Sequence, residues 1–215
     1  MTTFRWLSPV SPSGLLRLGD AASVAELLAK GGLAVLPTET GYLLAAAATS
    51  EEALLRAFRV KERDLAHPMH VAVASIEMAE RYAVLSPAAR LIMGAFTPGP
   101  LTVVVPQTDA LPRTLVTLDG TVGLRVPDHP ATLQVVAAAG FPVTATSLNR
   151  SGEESRPVSQ AVLDALDWGD LDEVPVVADE TSIRHASAST LVRLTDGVEV
   201  LRQGPVTADE VRAAL

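Results

Sequence analysis

The amino-acid sequence predicts an α/β fold built on a twisted mixed sheet flanked by helices. Short apolar runs with strand character alternate along the chain with segments of helical periodicity, which is typical of α/β domains. Several of these apolar runs lie too close together in sequence for a helical crossover between them, so some neighbouring strands must be antiparallel. The sheet is therefore expected to be mixed and not purely parallel.

The N-terminal half begins with a segment rich in chain-breaking residues. Residues 1–18 carry Pro9, Pro12 and Gly14, and we expect an irregular arm there, followed by one domain over 19–215. The elements predicted next are a helix over 20–30 that ends at Gly31-Gly32, strands over 33–36 and 42–48, a helix that starts at a capping box over 49–52 and runs to about Val60, and a short strand over 69–73.

The C-terminal half continues the alternation of helices and strands. A helix opens at Ser86-Pro87 and must end before Thr97-Pro-Gly-Pro100. The remaining predicted elements are strands over 101–105 and 122–126, a helix capped by Asp128 that stops at Gly140, a strand over 143–146 leading into a polar loop over 147–157, a helix over 161–166, extended segments over 174–177, 190–194 and 198–201, and a capping box over 207–210.

Composition narrows the class of protein. The 215 residues are enough for one well-packed domain, and the absence of cysteine excludes disulfides, thiolate metal sites and a cysteine nucleophile. A net charge of −8 argues against a general nucleic-acid binder, whose affinity comes largely from phosphate neutralisation. With no apolar run approaching the ~20 residues of a membrane span and no secretory signal, we expect a cytoplasmic protein without a membrane contact.

Polar residues that suit anion binding follow several predicted strands and helices. Hydroxyl and amide groups can orient small polar ligands, and lysine and arginine neutralise anions. Taken singly, each segment has an ordinary explanation, such as a turn or a basic pair that complements a helix dipole. Arg125 on a valine-rich strand is different, because a buried arginine needs an anion or a carboxylate partner. The segments are Pro37–Gly41, Lys61–Arg63, Arg125 and the loop Ser147–Gly152.

Six ordered motifs resemble the YrdC/Sua5 family, from about residue 20 to the C-terminus. Together they are far more specific than any one alone. They are Leu36-Pro-Thr-Glu-Thr-Gly-Tyr42, similar to PTETVYG; Lys61-Glu-Arg63 with Pro68, similar to KxR…KP; Phe96-Thr-Pro-Gly-Pro-Leu-Thr102, similar to WPGPLT; Thr121-Val-Gly-Leu-Arg-Val-Pro127, similar to a strand ending in RxP; Thr146-Ser-Leu-Asn-Arg-Ser-Gly152, similar to SAN-x-SG; and Ser189-Thr190 with Arg202-Gln-Gly204, similar to ST…RxG.

The resemblance implies a fold, an activity and partners. The family fold is a twisted α/β sheet that encloses a positively lined cavity, and its activity is synthesis of L-threonylcarbamoyl-AMP from ATP, bicarbonate and L-threonine. Mg²⁺ accompanies ATP as substrate, and no tightly bound cofactor or protein-held metal is expected. The product feeds the N6-threonylcarbamoyladenosine modification of tRNA, so the tRNA threonylcarbamoyl-transfer machinery is an implied partner.

The resemblance also assigns roles to individual residues. Lys61 and Arg63 would act on the phosphates as the catalytic pair, which agrees with the positioning and charge stabilisation that nucleotidyl transfer requires. His67 either contacts phosphate or is a solvated loop histidine. The implied ATP-binding residues are Lys61, Arg63, His67, Thr121, Asn149 and Arg202, and the implied threonine-binding residues are Thr38, Arg125, Ser147 and Ser189.

The chain departs from the family pattern on the amino-acid side. The family signature continues with two glycines where this chain has Tyr42-Leu-Leu-Ala45. The histidine that the family often carries in the strand after KP is replaced by Ala72, with His70 two residues earlier and therefore on the same face of a strand. His70 either takes over that role or is a structural residue.

Two alternatives follow from the same motifs. One is a related carbamoyl-adenylate-forming enzyme with a different acceptor. The other is a double-stranded RNA-binding module without ATP turnover, against which the charge of −8 weighs. Release of pyrophosphate with threonine and bicarbonate would separate the enzyme from both.

Overall fold

A computed structural model describes residues 2–67, 69–115, 119–148, 157–179, 181, 183–185 and 187–215. The strands are β1 Thr3–Leu7, β2 Leu33–Thr38, β3 Gly41–Ala46, β4 Val71–Ala72, β5 Leu101–Pro106, β6 Thr121–Arg125, β7 Val143–Thr144, β8 Thr146–Ser147, β9 Glu173–Val177, β10 Thr190–Arg193 and β11 Glu199–Arg202. The helices are α1 Leu18–Ala29, α2 Glu51–Val60, α3 Ile76–Ala79, α4 Pro87–Phe96, α5 Pro130–Ala139, α6 Gln160–Asp164 and α7 Ala208–Ala213.

The strands form two mixed sheets, which confirms the predicted α/β class. The first sheet has the order β1-β9-β2-β3-β8, and the second has the order β11-β10-β5-β6-β4-β7. Each contains parallel and antiparallel neighbours, for example β10 parallel to β5 and β5 antiparallel to β6. Short antiparallel connections such as β2–β3 account for the close spacing of apolar runs in the sequence.

One short chain segment joins the two sheets. β7 belongs to the second sheet and β8 to the first, with only Ala145 between them. The amide of Ala145 donates a hydrogen bond of 2.7 Å to the carbonyl of His70, just before β4. The two sheets are therefore fixed to each other close to His70, and polar groups from both can face a shared space.

The core lies on the outer faces of the sheets, beneath the helices. α1 and α5 pack against each other and against β2, α2 packs on β3, and α4 packs on β5. Every residue of β2 and β3 is buried, which matches their almost entirely apolar sequence. In the described part of the chain, none of the helices combines the length and apolar character that a bilayer crossing requires.

Three local expectations were wrong. Residues 3–7 are not irregular, because they form β1, which pairs in parallel with β9. Ser50, and not Thr49, caps α2 by accepting a hydrogen bond from the amide of Ala53. Asp128 does not cap α5, since His129 holds the cap position without a side-chain bond.

Other local expectations were confirmed. Gly140 ends α5 with a φ of 75°, a left-handed conformation that favours glycine. The capping box at Thr207 and Glu210 is complete, because each side chain bonds the other residue's amide. The short helix α3 was not predicted.

The close approach of Gly204 to β10 gives a test of this architecture. A Cβ atom at position 204 would lie 2.4 Å from both the carbonyl oxygen of Ala188 and the amide nitrogen of Thr190. We expect Gly204→Ala to lower the free energy of unfolding by about 1–3 kcal/mol, because backbone atoms must move. Gly94→Ala is the matched control: its Cβ meets nothing within 4 Å. It lies in α4, so it should stabilise by about 0.5–1 kcal/mol in urea unfolding. Equal effects of the two substitutions would contradict this packing.

Candidate functional site

The register of the second sheet aligns two arginines on one face. Leu191 of β10 pairs with both Thr102 of β5 and Arg202 of β11. Val103 of β5 pairs with Leu124 of β6, so the next residues along the two strands, Thr102 and Arg125, lie side by side. Arg125 also pairs with Ala72 of β4. Because directly paired residues point to the same side of a sheet, Arg202 and Arg125 share one face.

A second row on that face contains His70. Gly123 lies two residues before Arg125 and pairs with Val104. A Cβ atom at position 123 would lie only 2.4 Å from Cδ2 of His70 and 2.9 Å from Cγ. The imidazole therefore rests directly on the backbone of β6, in a space that exists because residue 123 is glycine.

Three guanidinium groups lie near enough to this imidazole for their charges to act on it. Burial, and then the positive charges of Arg202, Arg63 and Arg125, lower the pKa of His70 to about 4. Burial also lowers the pKa of Arg63. For Arg202, burial and then the charge of Arg125 lower the pKa. Residues from β6, from β11 and from the segment after α2 thus bring positive charge to one place.

A buried ion pair holds Arg125. Nη2 of Arg125 donates to Oε1 of Glu39 at 2.9 Å and to the hydroxyl of Thr40 at 2.7 Å. Glu39 is completely buried, and its other carboxylate oxygen accepts the amide of Asp128 at 2.9 Å. Among the described residues, none makes a hydrogen bond to the buried Nε of Arg125. One side of the guanidinium is thus fixed by the protein, while its Nε retains an unused donor.

The main chain of Glu39 organises the loop that follows β9. Its carbonyl accepts hydrogen bonds from the amides of Arg184 and His185, both 2.9 Å long. The side chain of Arg184 also pairs with the carboxylate of Asp128. The β2–β3 turn, the segment before α5 and the loop after β9 therefore meet at one buried glutamate.

Arg202 is positioned by the start of β10. Its Nε and Nη2 donate to the carbonyl of Ser189 at 3.1 and 2.9 Å. The hydroxyl of Ser189 lies 2.8 Å from that of Thr102, and both side chains are buried. These contacts hold the guanidinium on the face that carries Arg125.

Lys61 and Arg63 follow α2 and point to different partners. Nζ of the buried Lys61 donates to the carbonyl of Ser147 in β8, which ties the end of α2 to the first sheet. Nε of Arg63 donates to the carbonyl of His67 at 2.6 Å. Between them Glu62 has a φ of 49°, and this left-handed residue turns the chain after the helix.

The residues implied by the resemblance are only partly brought together. Arg63, Arg125 and Arg202 share one neighbourhood, with Ser189 beside Arg202. The hydroxyl of Thr38 donates to the carbonyl of Gly41 at 2.8 Å and closes the β2–β3 turn.

The other implied residues lie further along the site or outside it. Thr121 lies at the opposite end of β6 from Arg125, and its hydroxyl donates to Asp119 at 2.8 Å. The side chain of His67 is exposed. Asn149 lies outside the described residues.

Three residues that build the site were not singled out from the sequence. Glu39 lies inside the threonine-rich turn. It could have been predicted as a site residue, because Arg125 was expected to need an anion or a carboxylate partner. Thr102 and Gly123 become important only through strand pairing, which places them beside Ser189 and His70. No local sequence pattern reports such contacts.

The fold agrees with comparisons to known proteins. The model of the Sua5/YciO/YrdC family, described as "Telomere recombination", matches residues 26–204. The chain therefore belongs to this family of α/β proteins.

Named relatives extend the comparison over the whole chain. The threonylcarbamoyl-AMP synthase of Bacillus subtilis strain 168 is 32% identical over 219 residues, covering 100% of this chain and 62% of the relative. The enzyme of the same name from Pyrococcus abyssi is 32% identical, covering 89% of this chain and 56% of the relative. The chain thus spans less than two thirds of the length of either relative. A putative threonylcarbamoyl-AMP synthase of Methanocaldococcus jannaschii is 29% identical, covering 87% of this chain and 88% of the relative.

Solved structures share the fold. Pyrococcus abyssi Sua5 complexed with L-threonine superposes with a TM-score of 0.86 at 27% identity, over 100% of this chain and 61% of the other. Escherichia coli YciO superposes with a TM-score of 0.80 over 95% of this chain and 97% of the other, and at 24% identity it supports the fold alone.

Replacing Glu39 tests the buried ion pair. Glu39→Gln keeps the shape of the side chain but removes its negative charge opposite Arg125. It also places an amide NH₂ group where one of the two accepting carboxylate oxygens was. We expect a loss of about 3 kcal/mol in the free energy of unfolding, because a buried guanidinium is left uncompensated. Glu26→Gln, which breaks the exposed pair with Lys30, is the control and should cost less than about 0.5 kcal/mol. Similar losses in both variants, measured by urea unfolding, would show that Glu39 is not essential to the fold.

Acid sensitivity follows from the two buried imidazoles. The pKa of His70 is about 4 in the folded protein and near 6.5 once unfolded, so the unfolded chain binds the proton first. Burial also lowers the pKa of His129, against the opposing charge of Asp179. Stability should therefore fall as the pH drops from about 6.5 to 4, with about 1–3 kcal/mol from His70. His70→Gln should flatten this pH dependence in urea unfolding, and an unchanged slope would contradict the burial of a neutral imidazole.

Proposed function

We propose that this protein is an L-threonylcarbamoyl-AMP synthase that uses ATP, bicarbonate and L-threonine, in the first step of tRNA N6-threonylcarbamoyladenosine formation. Family membership and the names of the relatives support the proposal. The observation that carries it is that Arg125 and Arg202 share one strand face with His70, with Arg63 near enough for its charge to act on the imidazole. Such a concentration of positive charge, in a protein whose net charge is −8, favours an anionic ligand.

The triphosphate is assigned to the outer part of this face. Arg63 follows α2 and Arg202 ends β11, and burial already lowers the pKa of each, so neutralisation by phosphate relieves an unfavourable charge. Lys61 and Asn149 are assigned to the nucleotide as well, and Thr121 lies further along β6, in the direction in which an extended nucleotide can run. His67 is included as an exposed contact at the rim.

The amino acid is assigned to Arg125. Its guanidinium is oriented by Glu39 and Thr40 and has an unused, buried Nε donor, which suits a carboxylate group. Pyrococcus abyssi Sua5 was solved with L-threonine, which supports an amino-acid site in this fold. Thr38, Ser147 and Ser189 are proposed as its further polar contacts, with Thr38 acting after a rearrangement of its bond to Gly41.

The chemistry needs alignment more than a nucleophilic side chain. The amine of threonine captures CO₂ from bicarbonate, loses a proton and forms a carbamate, with release of water. A carbamate oxygen then attacks the α-phosphorus of ATP, and pyrophosphate leaves with the electron pair of the broken P–O bond. The fixed guanidinium groups hold the reactants and stabilise the charge on the leaving group.

Mg²⁺ is assigned to the substrate and not to a site built by the protein. Among the described residues, no group of three or more histidine, aspartate or glutamate side chains is arranged to hold a metal ion. Phosphate oxygens and water are the ligands that Mg²⁺ commonly takes with nucleotides, and the ion shields their charge. In the cytoplasm, the product would pass to the tRNA threonylcarbamoyl-transfer machinery.

The proposal is tested by pyrophosphate release from ATP with a panel of amino acids, with and without bicarbonate, and identification of the product by mass. We expect turnover that needs both threonine and bicarbonate, and a product with the mass of threonylcarbamoyl-AMP. Turnover with another amino acid would assign a different acceptor, and turnover with carbamoyl phosphate would assign the related carbamoyl chemistry. RNA binding without any ATP turnover would overturn the enzymatic assignment.

Replacing Arg202 tests the nucleotide assignment. Arg202→Ala removes a charge-assisted contact worth about 1.5–3 kcal/mol, so the KM for ATP should rise about 10- to 100-fold. Arg212→Ala removes an exposed arginine of α7 and serves as the control with an unchanged KM. A wild-type KM for ATP in Arg202→Ala would remove this residue from the site.

A further inference from the structure

His70 takes no part in the reaction as proposed, yet it lies among the charges on which the reaction depends. Its ring rests on the backbone of Gly123, and its carbonyl accepts the amide of Ala145. The first contact places the imidazole over β6, and the second fixes the backbone from which the side chain projects. A histidine held in this way responds to changes in its surroundings mainly by gaining or losing a proton.

Within the described part of the chain, the charged groups that act on His70 are positive. Arg63 approaches from the segment after α2, Arg125 from β6 and Arg202 from β11. The segment that joins the two sheets contributes Thr144, Ala145 and Thr146, none of which titrates, and the neighbouring residue of β5 is Val104. Among the described residues, no carboxylate adds to the field at His70; Glu39 is bonded to Arg125. A fourth positive charge is therefore unfavourable there until an anion arrives.

We propose that binding of a polyphosphate to Arg63 and Arg202, beside Arg125, is coupled to the uptake of one proton by His70, which then becomes a fourth cation of the site. This inference rests on the proposed function, because the triphosphate of ATP is the anion concerned. By reciprocity, a ligand that cancels the repulsion felt by the imidazolium must bind more tightly when the proton is available. The proton comes from solvent on binding and returns to it when pyrophosphate leaves.

The size of the effect can be estimated. In the free protein the pKa of His70 is about 4, so the imidazole is almost entirely neutral at pH 6. If phosphate binding returns this pKa to its ordinary value near 6.5, affinity should be about fourfold higher at pH 6 than at pH 8. Without His70 this factor should disappear.

The experiment is calorimetric binding of the magnesium complex of α,β-methylene ATP at pH 6 and pH 8, each in two buffers of different ionisation enthalpy. The number of protons taken up on binding is compared between wild-type protein and His70→Gln. Protonation of the ligand itself contributes equally to both and cancels in the difference. His185→Gln is the matched control, since its ring lies outside the group of residues around His70. We expect proton uptake at pH 6 in wild type and in His185→Gln, and its loss in His70→Gln.

A second measurement keeps the test independent of the variant's folding. The Cε1 proton resonance of His70 in wild-type protein should titrate near pH 4 without ligand and near pH 6.5 with it. A resonance that titrates at the same pH in both states would overturn the coupling. Failure of the proposed function looks different, because the analogue would then not bind at either pH.

Discussion

The buried pair of Glu39 and Arg125 is the constraint on which the site depends. Glu39 has no exposed surface, and its carboxylate and carbonyl oxygens together accept hydrogen bonds from Arg125, Asp128, Arg184 and His185. A buried ion pair contributes little net stability compared with a well-packed apolar pair, but removal of one partner is costly. The pair therefore contributes position more than stability. It fixes Nη2 of the guanidinium, while Nε has no hydrogen-bond partner among the described residues.

Main-chain groups orient the other two arginines. Arg63 and Arg202 donate to the carbonyl groups of His67 and Ser189. Their lowered pKa values, and that of His70, show that the folded chain holds this positive charge at some energetic cost. A polyanion that binds here relieves the cost, so binding should also stabilise the fold in proportion to ligand concentration.

Sequence reasoning found what depends on local chemistry. The α/β class follows from alternating apolar runs, and the helix ends at Gly140 and Thr207 follow from backbone conformation and capping. Arg125 was singled out because a buried arginine needs an anion or a carboxylate partner, and Glu39 is such a partner. Arg63 and Arg202 were assigned to the site only by the family resemblance, and their role stays a prediction. In contrast, β1 was missed because it gains strand structure from pairing with β9, more than 160 residues later in the chain. A pairing over such a distance leaves no local signature, and tertiary contacts override the propensity of the segment.

Distant strand pairing also explains why the motifs alone did not predict the face of the candidate site. Arg125 and Ala72 belong to motifs that are far apart in sequence. They become neighbours only because β4 pairs in parallel with β6. Side chains alternate along a β-strand, so positions 70 and 72 lie on the same face. A histidine at position 72 would lie beside Arg125, whereas His70 lies one row away, above Gly123. The residue paired with Arg125 is therefore Ala72, a small apolar side chain, and the titratable imidazole lies over Gly123 instead.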